Sequence, residues 1–498
     1  MTLNPSNPAE KRELRRIAPL LDSYLSYLES FAEGGRQPFT TPGHKHRAYL
    51  LDEGLGQVVD RDVPLSGGVD DVKLTGEILL HAEALATRLW GGDWTRFSTG
   101  GSTHANQAIL LSLGKPGDKI AITRTAHRSQ LTALVLAGLE PLWLSPEIDP
   151  LTGVPTGISL RELERVLPQK PIALLLTEPG YLGTLSDIPP LIERAHESGI
   201  PVILDAAWGG HFGFHPSLPK SPMQLGADAF VTSIHKALPG YSASAIAVAR
   251  TRLLNRARLE QGFESTHTTS PAGAPLASID AVRALMEVRG HELIEKLLEN
   301  VALFRKRLAD EFGDEILLDP SNFASGRFDP AKIVVRADVL GANGLVIEKD
   351  LAGLGVAVEM ADKDNLVIHV TIADDIHTFM RLADSLIPIL IKNSGIRRKS
   401  HSAISWSVKP ETAMSLREAY FAESEMVHAK NAIGRISADL IAPYPPGVAV
   451  LAPGEVITQA ILNGLISAKS DGVRIAYSSD PTLETFRVLT SQSKTETS

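Results

Sequence analysis

The chain of 498 residues contains no cysteine. This absence excludes disulfide bonds, thiolate nucleophiles, and zinc or iron–sulfur sites that are built on cysteine. It is also typical of proteins in a reducing compartment, and we expect a cytoplasmic protein without a metal site. No block of basic residues stands out and the net charge is −9, so nucleic acid is not an expected partner.

The chain also lacks a long apolar segment. The longest candidate, TFMRLADSLIPILI at 378–391, is too short to span a bilayer and carries charged residues. The N-terminal stretch is charged and has no apolar segment of the kind found in secretory signals. The sequence therefore predicts no membrane partner.

Length and pattern favour several domains rather than one. A chain of 498 residues is longer than a single hydrophobic core usually supports, so two or three domains are expected. Between residues 94 and 250, apolar strands alternate with helical segments, which predicts an α/β domain with a parallel sheet covered on both faces. The predicted strands lie at 119–123, 139–144, 172–177, 201–205, 229–233 and 244–249.

Changes of pattern set the predicted domain limits. Residues 1–37 form an N-terminal helical arm, in which 11–35 have the periodicity of one amphipathic helix. Residues 38–275 form the large domain, and residues 276–394 form a small α/β domain with a β-α-β-β pattern. A C-terminal domain at 395–498 begins with a linker.

The stretch FSTGGSTHAN at 97–106 combines glycines and hydroxyl groups just before a predicted helix. Helix N-termini bind anions, and glycine lets the backbone approach a ligand closely. A phosphate group would fit at Gly101, Ser102 and Thr103. The alternative is an ordinary helix cap made by Ser102 or Thr103.

The stretch RTAHRS at 124–129 follows the strand KIAIT. His127 is placed where its ring could stack on an aromatic ligand at the end of that strand. Taken alone, a histidine at such a position is more often structural or solvated, so this prediction depends on its neighbours.

The stretch PVILDAAWGGHF at 201–212 ends a very apolar strand with Asp205. A carboxylate is costly to bury unless it is paired, and a protonated ring nitrogen would be a suitable partner. Ala206, Ala207 and Gly209 leave room for a flat group nearby. The alternative is a carboxylate that caps a loop.

The stretch VTSIHKALPG at 231–240 places Lys236 directly after another apolar strand. Desolvation in an apolar pocket lowers the pKa of a lysine, and the free amine then forms a Schiff base with an aldehyde. Ser233 and His235 flank it and could hold a phosphate. The alternative is a solvated lysine at the end of a strand.

Together, these four stretches meet the separate needs of one cofactor, pyridoxal 5′-phosphate. An aspartate keeps the pyridine nitrogen protonated, which makes the ring an electron sink, and a lysine holds the aldehyde. The stretches lie at strand ends of one predicted sheet, and open α/β sheets bind ligands at the carboxyl ends of their strands. We therefore predict that Lys236 carries the cofactor and that Asp205 pairs with its ring nitrogen.

These motifs resemble those of the fold-type-I, pyridoxal-phosphate-dependent ornithine, lysine and arginine decarboxylases, in the shorter form without an N-terminal receiver-like domain. The resemblance extends from about residue 38 to residue 455. The matching stretches are TPGHK (41–45), GVDDVKLTGEI (68–78), STGGST (98–103), HRS (127–129), DAAWGGHF (205–212), SIHKALP (233–239), TTSPAGAPLASID (268–280) and PYPPGVAVLAPGE (443–455).

The resemblance implies a large domain with a mainly parallel sheet, a small α/β domain and a C-terminal domain. It also implies a homodimer, or a larger assembly of dimers, with active sites at the subunit interface. The implied catalytic residues are Lys236, His235, Asp205 and His127. The implied cofactor contacts are Gly101, Ser102, Thr103, His127, Asp205, Ala207, Ser233, His235 and Lys236.

The chain departs from the family pattern on the substrate side. The family often has Glu at the position of Ala206, and its members tend to read Leu-Pro-Ala-Leu-Thr where this chain has Gly240 and Tyr241. The usual Ser-Pro-Ser-Tyr is replaced by a stretch that contains Ala272 and Gly273, which removes an aromatic hydroxyl group. These departures leave the reaction type open.

The leading hypothesis is decarboxylation of a basic L-amino acid, whether arginine, lysine or ornithine, in a pathway such as polyamine metabolism. The distal cation of such a substrate needs an acidic partner, for which Glu455, Asp70 and Asp71 are candidates; each is equally compatible with a structural role. The alternatives are another reaction of the same cofactor, such as transamination, racemisation or oxidation, and a non-catalytic binding protein on the same scaffold.

Overall fold

The computed structural model describes residues 8–51, 53–70, 77–400, 406, 409–444 and 447–490. Short 3-10 turns occur at Ala48–Leu50, Leu167–Gln169, Asp314–Ile316 and Pro320–Asn322. The α-helices are α1 Pro8–Ile17, α2 Pro19–Ala32, α3 Glu53–Val59, α4 Ile78–Trp90, α5 Gly101–Leu113, α6 Arg128–Ala137, α7 Leu160–Val166, α8 Ile188–Glu197, α9 Pro222–Leu225, α10 Arg256–Thr266, α11 Gly273–Phe312, α12 Gly344–Gly353, α13 Ile376–Asn393, α14 Leu416–Phe421, α15 Ala429–Ala432 and α16 Gln459–Ser470.

The strands form one large sheet and several small ones. The large sheet has the order β1-β9-β8-β7-β6-β2-β3. The strands are β1 Trp94–Ser98, β2 Lys119–Thr123, β3 Glu140–Leu144, β4 Glu147–Ile148, β5 Pro155–Gly157, β6 Leu174–Thr177, β7 Val202–Asp205, β8 Ala229–Ser233, β9 Ala245–Ala249, β10 Ile333–Arg336, β11 Met360–Ala361, β12 Asn365–Ile368, β13 Ser424–His428, β14 Ala442–Tyr444, β15 Arg474–Ala476 and β16 Thr485–Leu489.

The large sheet is mainly parallel, with one exception. Strands β3, β2, β6, β7 and β8 pair in parallel, as predicted, but β9 is antiparallel to both β8 and β1. The prediction that 244–249 is a parallel strand is therefore wrong. A parallel neighbour needs a crossover of a dozen or more residues, usually a helix, and residues 234–244 form only turns and bends.

Helices cover both faces of this sheet. In β6, Leu174 and Leu176 belong to one buried apolar cluster, whereas Leu175 belongs to another. Successive side chains of a strand point to opposite faces, so each face has its own core. One cluster includes residues of α8 and α11, and the other includes residues of α5, α6 and α10. This double burial explains why the strands are apolar throughout.

The small α/β unit has the predicted β-α-β-β order, with β10, α12, β11 and β12. Its sheet has the strand order β10-β12-β11 and is antiparallel. The 40-residue helix α11 leads from the large sheet to this unit and runs across the predicted limit at residue 275. The four domain limits themselves stay predictions.

The N-terminal arm contains two helices rather than the single helix that its periodicity predicts. Helix α1 ends at Ile17 and α2 begins at Pro19, which has no N–H to continue the first helix but suits the start of a second. The junction packs on α11, where the backbone N–H of Leu20 donates to Oδ2 of Asp280 at 2.8 Å. Arg283 is fully buried beside it and pairs with Asp280 at 2.8 Å.

In the C-terminal part, the described residues form two small antiparallel sheets and the helices α14, α15 and α16. Strand β13 pairs with β16, and β14 pairs with β15. Helix α14 packs against α6 of the large domain, which brings this part close to the large sheet. Among the described residues, no helix is both long and apolar enough to cross a membrane.

Candidate active site

The four predicted stretches meet at one edge of the large sheet. Strands β1, β2, β7 and β8 all end at this edge because they run in the same direction. Asp205 is the last residue of β7, and the segments after β1, β2 and β8 carry the phosphate loop, His127 and Lys236. The topology therefore brings together residues that are far apart in the sequence.

Asp205 ends β7 and is only 2% exposed. Its Oδ2 accepts hydrogen bonds from Nδ2 of Asn106 at 2.9 Å and from Nε2 of Gln130 at 2.7 Å. Its Oδ1 accepts the backbone N–H of Ala207 at 3.1 Å. All three donors are uncharged, so they orient the carboxylate without neutralising it. This arrangement suits a cationic partner such as a protonated ring nitrogen.

The phosphate loop lies between β1 and α5. Gly100 is the N-cap of α5 and makes no side-chain cap bond, so the alternative in which Ser102 or Thr103 caps the helix is not seen. Gly101 has a φ of +68°, a conformation that glycine adopts at no steric cost. The hydroxyl oxygens of Ser102 and Ser233 lie 2.7 Å apart, which joins this loop to the end of β8. Thr103 is exposed.

His127 is the N-cap residue of α6. Its Nδ1 accepts the backbone N–H of Ser129 at 3.2 Å, which leaves Nε2 as the protonated nitrogen of a neutral ring. Burial lowers the pKa of His127, and the charges of Lys236 and Arg128 lower it further against the opposing effect of Asp205. The lowered pKa favours the neutral form of the ring.

Lys236 lies just past the end of β8 and is partly exposed. Burial of its side chain lowers its pKa, and the charges of Asp205 and Glu359 partly offset this effect. Its Nζ lies 4.3 Å from the centroid of the Trp208 ring, within the range of a cation–π contact. A lysine with a lowered pKa has more of its amine in the nucleophilic form at neutral pH.

Two further predicted residues lie close to this centre. His235 donates from Nδ1 to the carbonyl oxygen of Ser244 at 2.8 Å, which fixes its ring and leaves Nε2 available to a ligand. Ala207 follows Asp205 by two residues and is partly exposed. The predicted contact of Ala207 with a cofactor stays a prediction.

Glu455 does not lie free to meet a substrate. Its carboxylate makes a two-pronged ion pair with Arg124, with 3.0 Å between Nη2 and Oε2, and Oε2 also accepts the N–H of Ala452 at 2.7 Å. The side chains of Arg124 and Glu455 are 4% and 2% exposed. The expected substrate contact is therefore not supported, because both carboxylate oxygens are bonded within the chain.

The Arg124–Glu455 pair links the C-terminal domain to the segment that carries His127. Removing one member of a buried ion pair leaves an uncompensated charge, so we expect Glu455→Ala to lower the free energy of unfolding by about 3 kcal/mol. Urea unfolding followed by tryptophan fluorescence measures this loss. The matched control is Asp310→Ala, which breaks the exposed Lys306–Asp310 pair and should cost under about 1 kcal/mol. Equal losses in the two variants would contradict the proposed role of the pair.

Of the other two acidic candidates, only Asp70 belongs to the described residues. Asp70 is 8% exposed, and its Oδ2 accepts the backbone N–H of Leu79 at 2.7 Å in the first turn of α4. This hydrogen bond favours a structural role for Asp70 over contact with a substrate. Asp71 lies outside the described residues, so its predicted substrate contact stays a prediction.

Steric reasons account for two departures from the family pattern, at Gly273 and Gly240. A Cβ atom on Gly273 would lie 2.5 Å from Cγ2 of Val69 and 2.8 Å from the carbonyl oxygen of Val63, so only glycine fits there. A Cβ atom on Gly240 would lie 2.6 Å from Oγ of Ser244.

No such steric reason is seen for the other departures, at Ala206, Tyr241 and Ala272. Ala272 is the N-cap of α11 and pairs through its backbone with Pro64. Tyr241 is 57% exposed. The chain therefore replaces a polar side chain of the family pattern by close backbone packing at Gly273.

Sequence reasoning missed several residues that surround the centre. Asn106 and Gln130 hold Asp205, yet each stands in a helix where its residue type gives no signal. Trp208 belongs to the motif DAAWGGHF, but the motif does not indicate that its ring contacts Lys236, because this contact depends on tertiary structure. Lys332 also contacts the Trp208 ring, with its Nζ 4.3 Å from the ring centroid. It lies nearly a hundred residues after Lys236, so no spacing rule connects the two.

A family model for the Orn/Lys/Arg decarboxylase major domain matches residues 22–378, and the model for the C-terminal domain of that family matches residues 398–470. The chain belongs to the Orn/Lys/Arg decarboxylase family. The predicted family is confirmed, and with it the prediction that the protein is an enzyme of the decarboxylase class.

Individual relatives agree with this assignment. The chain is similar to a protein of Bacillus subtilis named arginine decarboxylase, with 32% identity over 92% of this chain and 96% of that one. It is similar to the arginine decarboxylase of Halalkalibacterium halodurans, with 31% identity over 91% and 94% of the two chains. The solved lysine decarboxylase A of Pseudomonas aeruginosa has a TM-score of 0.80 at 21% identity, covering 96% of this chain and 81% of that chain. This last likeness confirms the predicted fold class.

Proposed function

We propose that this member of the decarboxylase family removes the α-carboxylate of a basic L-amino acid, with L-arginine as the first candidate, and that pyridoxal phosphate on Lys236 is its cofactor. The observation that carries the proposal is that two chemically suited side chains, Asp205 and Lys236, lie at the ends of the neighbouring strands β7 and β8. Asp205 is a buried carboxylate with only neutral donors, and Lys236 is an amine with a lowered pKa. A buried lysine with a lowered pKa beside a carboxylate is typical of functional sites.

The residues present fit this cofactor. Oδ1 of Asn106, beside Asp205, is buried without a hydrogen-bond partner among the described residues, so the polar surroundings of the carboxylate are incomplete. The first N–H groups of α5, together with the hydroxyl groups of Ser102 and Ser233, form an anion site of the kind that binds phosphate. These features match the two charged ends of the cofactor.

Each residue then has a separate task. Asp205 would hold a proton on the ring nitrogen, while the neutral ring of His127 would cover one face. Gly101, Ser102 and Ser233 would hold the phosphate, with His235 nearby. When bound, pyridoxal phosphate supplies a conjugated ring that takes up the electron pair of the breaking bond. Lys236 would hold the cofactor through Nζ, and its amine, when released and uncharged, would accept or return a proton at that atom.

Arginine stands first among the substrates because of the relatives. Proteins that are 31–32% identical over more than nine-tenths of this chain are named arginine decarboxylases. At Gly273 the departure from the family pattern is explained by close packing. Three points stay predictions: the homodimeric assembly, the completion of one subunit's site by residues of its neighbour, and the cytoplasmic location.

Product analysis tests this function directly. Purified protein is mixed with pyridoxal phosphate and, in separate reactions, with L-arginine, L-lysine or L-ornithine, and CO2 and the amine are measured. We expect equal amounts of CO2 and amine, with the largest kcat/KM for L-arginine. D-arginine serves as the matched control and should give neither product.

Other outcomes identify the alternatives. A keto acid without CO2 would show transamination, inversion of the Cα centre would show racemisation, and consumption of oxygen would show oxidation. Binding of the cofactor without turnover of any of the three amino acids would remove the basic-amino-acid decarboxylase from consideration.

A further inference from the structure

The backbone of the candidate cofactor lysine is bound by a residue of the small α/β unit. Nε2 of His369 lies 2.9 Å from the carbonyl oxygen of Lys236, and the histidine is the donor because a carbonyl oxygen only accepts. His369 follows β12 directly and lies 133 positions after Lys236 in the chain. A residue outside the large sheet therefore contacts the reactive lysine through its main chain.

The turn that carries Lys236 has little other backbone support. Lys236 lies in the stretch of turns and bends at 234–244, where no strand or helix fixes the chain. Ile234 is anchored, since its N–H donates to the carbonyl oxygen of Ser244 at 2.9 Å and its own carbonyl oxygen accepts from Gly240 at 2.9 Å. Among the described residues, the bond to His369 is the one hydrogen bond of the Lys236 backbone. The orientation of this peptide group therefore depends on His369.

The ring of His369 also supports the side chain of Lys236, through Trp208. The rings of His369 and Trp208 have their centroids 5.0 Å apart and their planes at 80°, the edge-to-face arrangement that aromatic rings favour. On the same indole, Nζ of Lys236 lies 4.3 Å from the ring centroid. His369 thus contacts both groups that confine Lys236, which are its carbonyl oxygen and the indole beside its amine.

The register of the small sheet explains how His369 reaches this place. The terminal pair of β10 and β12 joins Ile333 to Ile368, so Lys332 before β10 and His369 after β12 lie at the same end of the sheet. Nζ of Lys332 also lies 4.3 Å from the centroid of the Trp208 ring. This end of the small sheet therefore packs on Trp208 through two residues, which fixes His369 beside Lys236.

We propose that His369 is a positioning residue of the active site, whose hydrogen bond to the carbonyl oxygen of Lys236 fixes the direction in which the amine of Lys236 points. The small α/β unit thereby sets the orientation of the reactive lysine. This inference rests on the proposed function, because the orientation matters only if the amine reacts with the cofactor. A group that is already held in its reacting direction reacts faster than one that must first reorient.

The rate at which pyridoxal phosphate attaches to the cofactor-free protein tests this inference. Stopped-flow absorbance follows the appearance of the lysine-bound band after mixing. His369→Phe keeps an aromatic ring beside Trp208 but removes the donor, so we expect attachment to slow about tenfold, the size of effect that one lost hydrogen bond has. His369→Gln returns an N–H donor near the position of Nε2 and should stay within about threefold of the parent.

Rescue by glutamine separates positioning from packing. Loss of packing alone would impair His369→Gln at least as much as His369→Phe, because glutamine has no ring to place against Trp208. His369→Leu also lacks a donor and should slow attachment as His369→Phe does, which guards against a defect peculiar to phenylalanine. The matched control is His377→Phe, at an exposed position of α13, which should leave the rate unchanged.

Each result has a definite meaning. Attachment at the parental rate in His369→Phe, or equal slowing in the phenylalanine and glutamine variants, would overturn the proposal. Slowing in His369→Phe with rescue in His369→Gln, but no CO2 from any of the three amino acids, would reject the decarboxylase and support the role of His369. A parent protein that forms no lysine-bound band would overturn both.

Discussion

Replacing Lys236 by alanine is expected to abolish both cofactor attachment and turnover. The visible absorbance band of lysine-bound pyridoxal phosphate should disappear, and kcat/KM should fall by about 10⁴-fold or more, which corresponds to more than about 5 kcal/mol of transition-state stabilisation. The reason is that Lys236 is the lysine at the end of β8 that lies beside Asp205, with a lowered pKa caused by burial. Absorbance spectroscopy and steady-state kinetics measure the two effects.

The matched control is Lys220→Ala, which removes an exposed lysine on the same domain and should change neither the band nor the rate. Retention of the band in Lys236→Ala would show that another amine holds the cofactor. Lys332 is the first candidate for that amine, because it contacts the same Trp208 ring. Such a result would assign the reactive amine to a different lysine but would leave the location of the active site unchanged.

The second large effect is expected for Asp205→Asn. The amide has nearly the shape of the carboxylate but cannot hold a proton on the ring nitrogen, so we expect kcat to fall about 10³-fold while the cofactor still binds to Lys236. The contacts with Asn106 and Gln130 come from amide donors, which an asparagine oxygen can still accept. Measurement of kcat together with the cofactor band separates a catalytic loss from a binding loss.

Asp187→Asn is the control for this substitution. Asp187 is exposed and makes no side-chain cap bond at the start of α8, so its variant should keep full activity. If Asp205→Asn lost the cofactor altogether, Asp205 would have a binding role instead of the electronic role proposed here. Full activity in Asp205→Asn would show that Asp205 is not the partner of the cofactor's ring nitrogen.

The sequence located the four main parts of the centre because each has a local signal. Short segments of the sequence are enough to show these signals: an apolar strand that ends in Asp205, a lysine after another such strand, and a glycine-rich turn before a helix. Since parallel strands end at one edge of a sheet, the pattern also predicted that these parts meet. The prediction went wrong at 244–249, where an apolar strand looks the same in either direction and only the short connection decides its orientation.

Glu455 shows the limit of reasoning from a motif. Its position in APGE marked an acidic side chain of interest, but residue type alone does not distinguish a carboxylate that meets a substrate from one that binds an arginine of the same chain. Arg124 lies 331 residues away in the sequence. Their contact exists because α14 and its neighbours pack on the large domain.

The sequence by itself determined the fold class, the family and the order of Asp205 and Lys236 on one sheet, because strand periodicity and local motifs are properties of neighbouring residues. Only the tertiary structure decided the partners of these groups. Asn106 and Gln130 reach Asp205 from two helices, Lys332 reaches the ring of Trp208 from the small domain, and the pair formed by Glu455 buries its charge. Such contacts join residues that are distant in the chain, and they depend on packing and burial, which no short window of sequence contains.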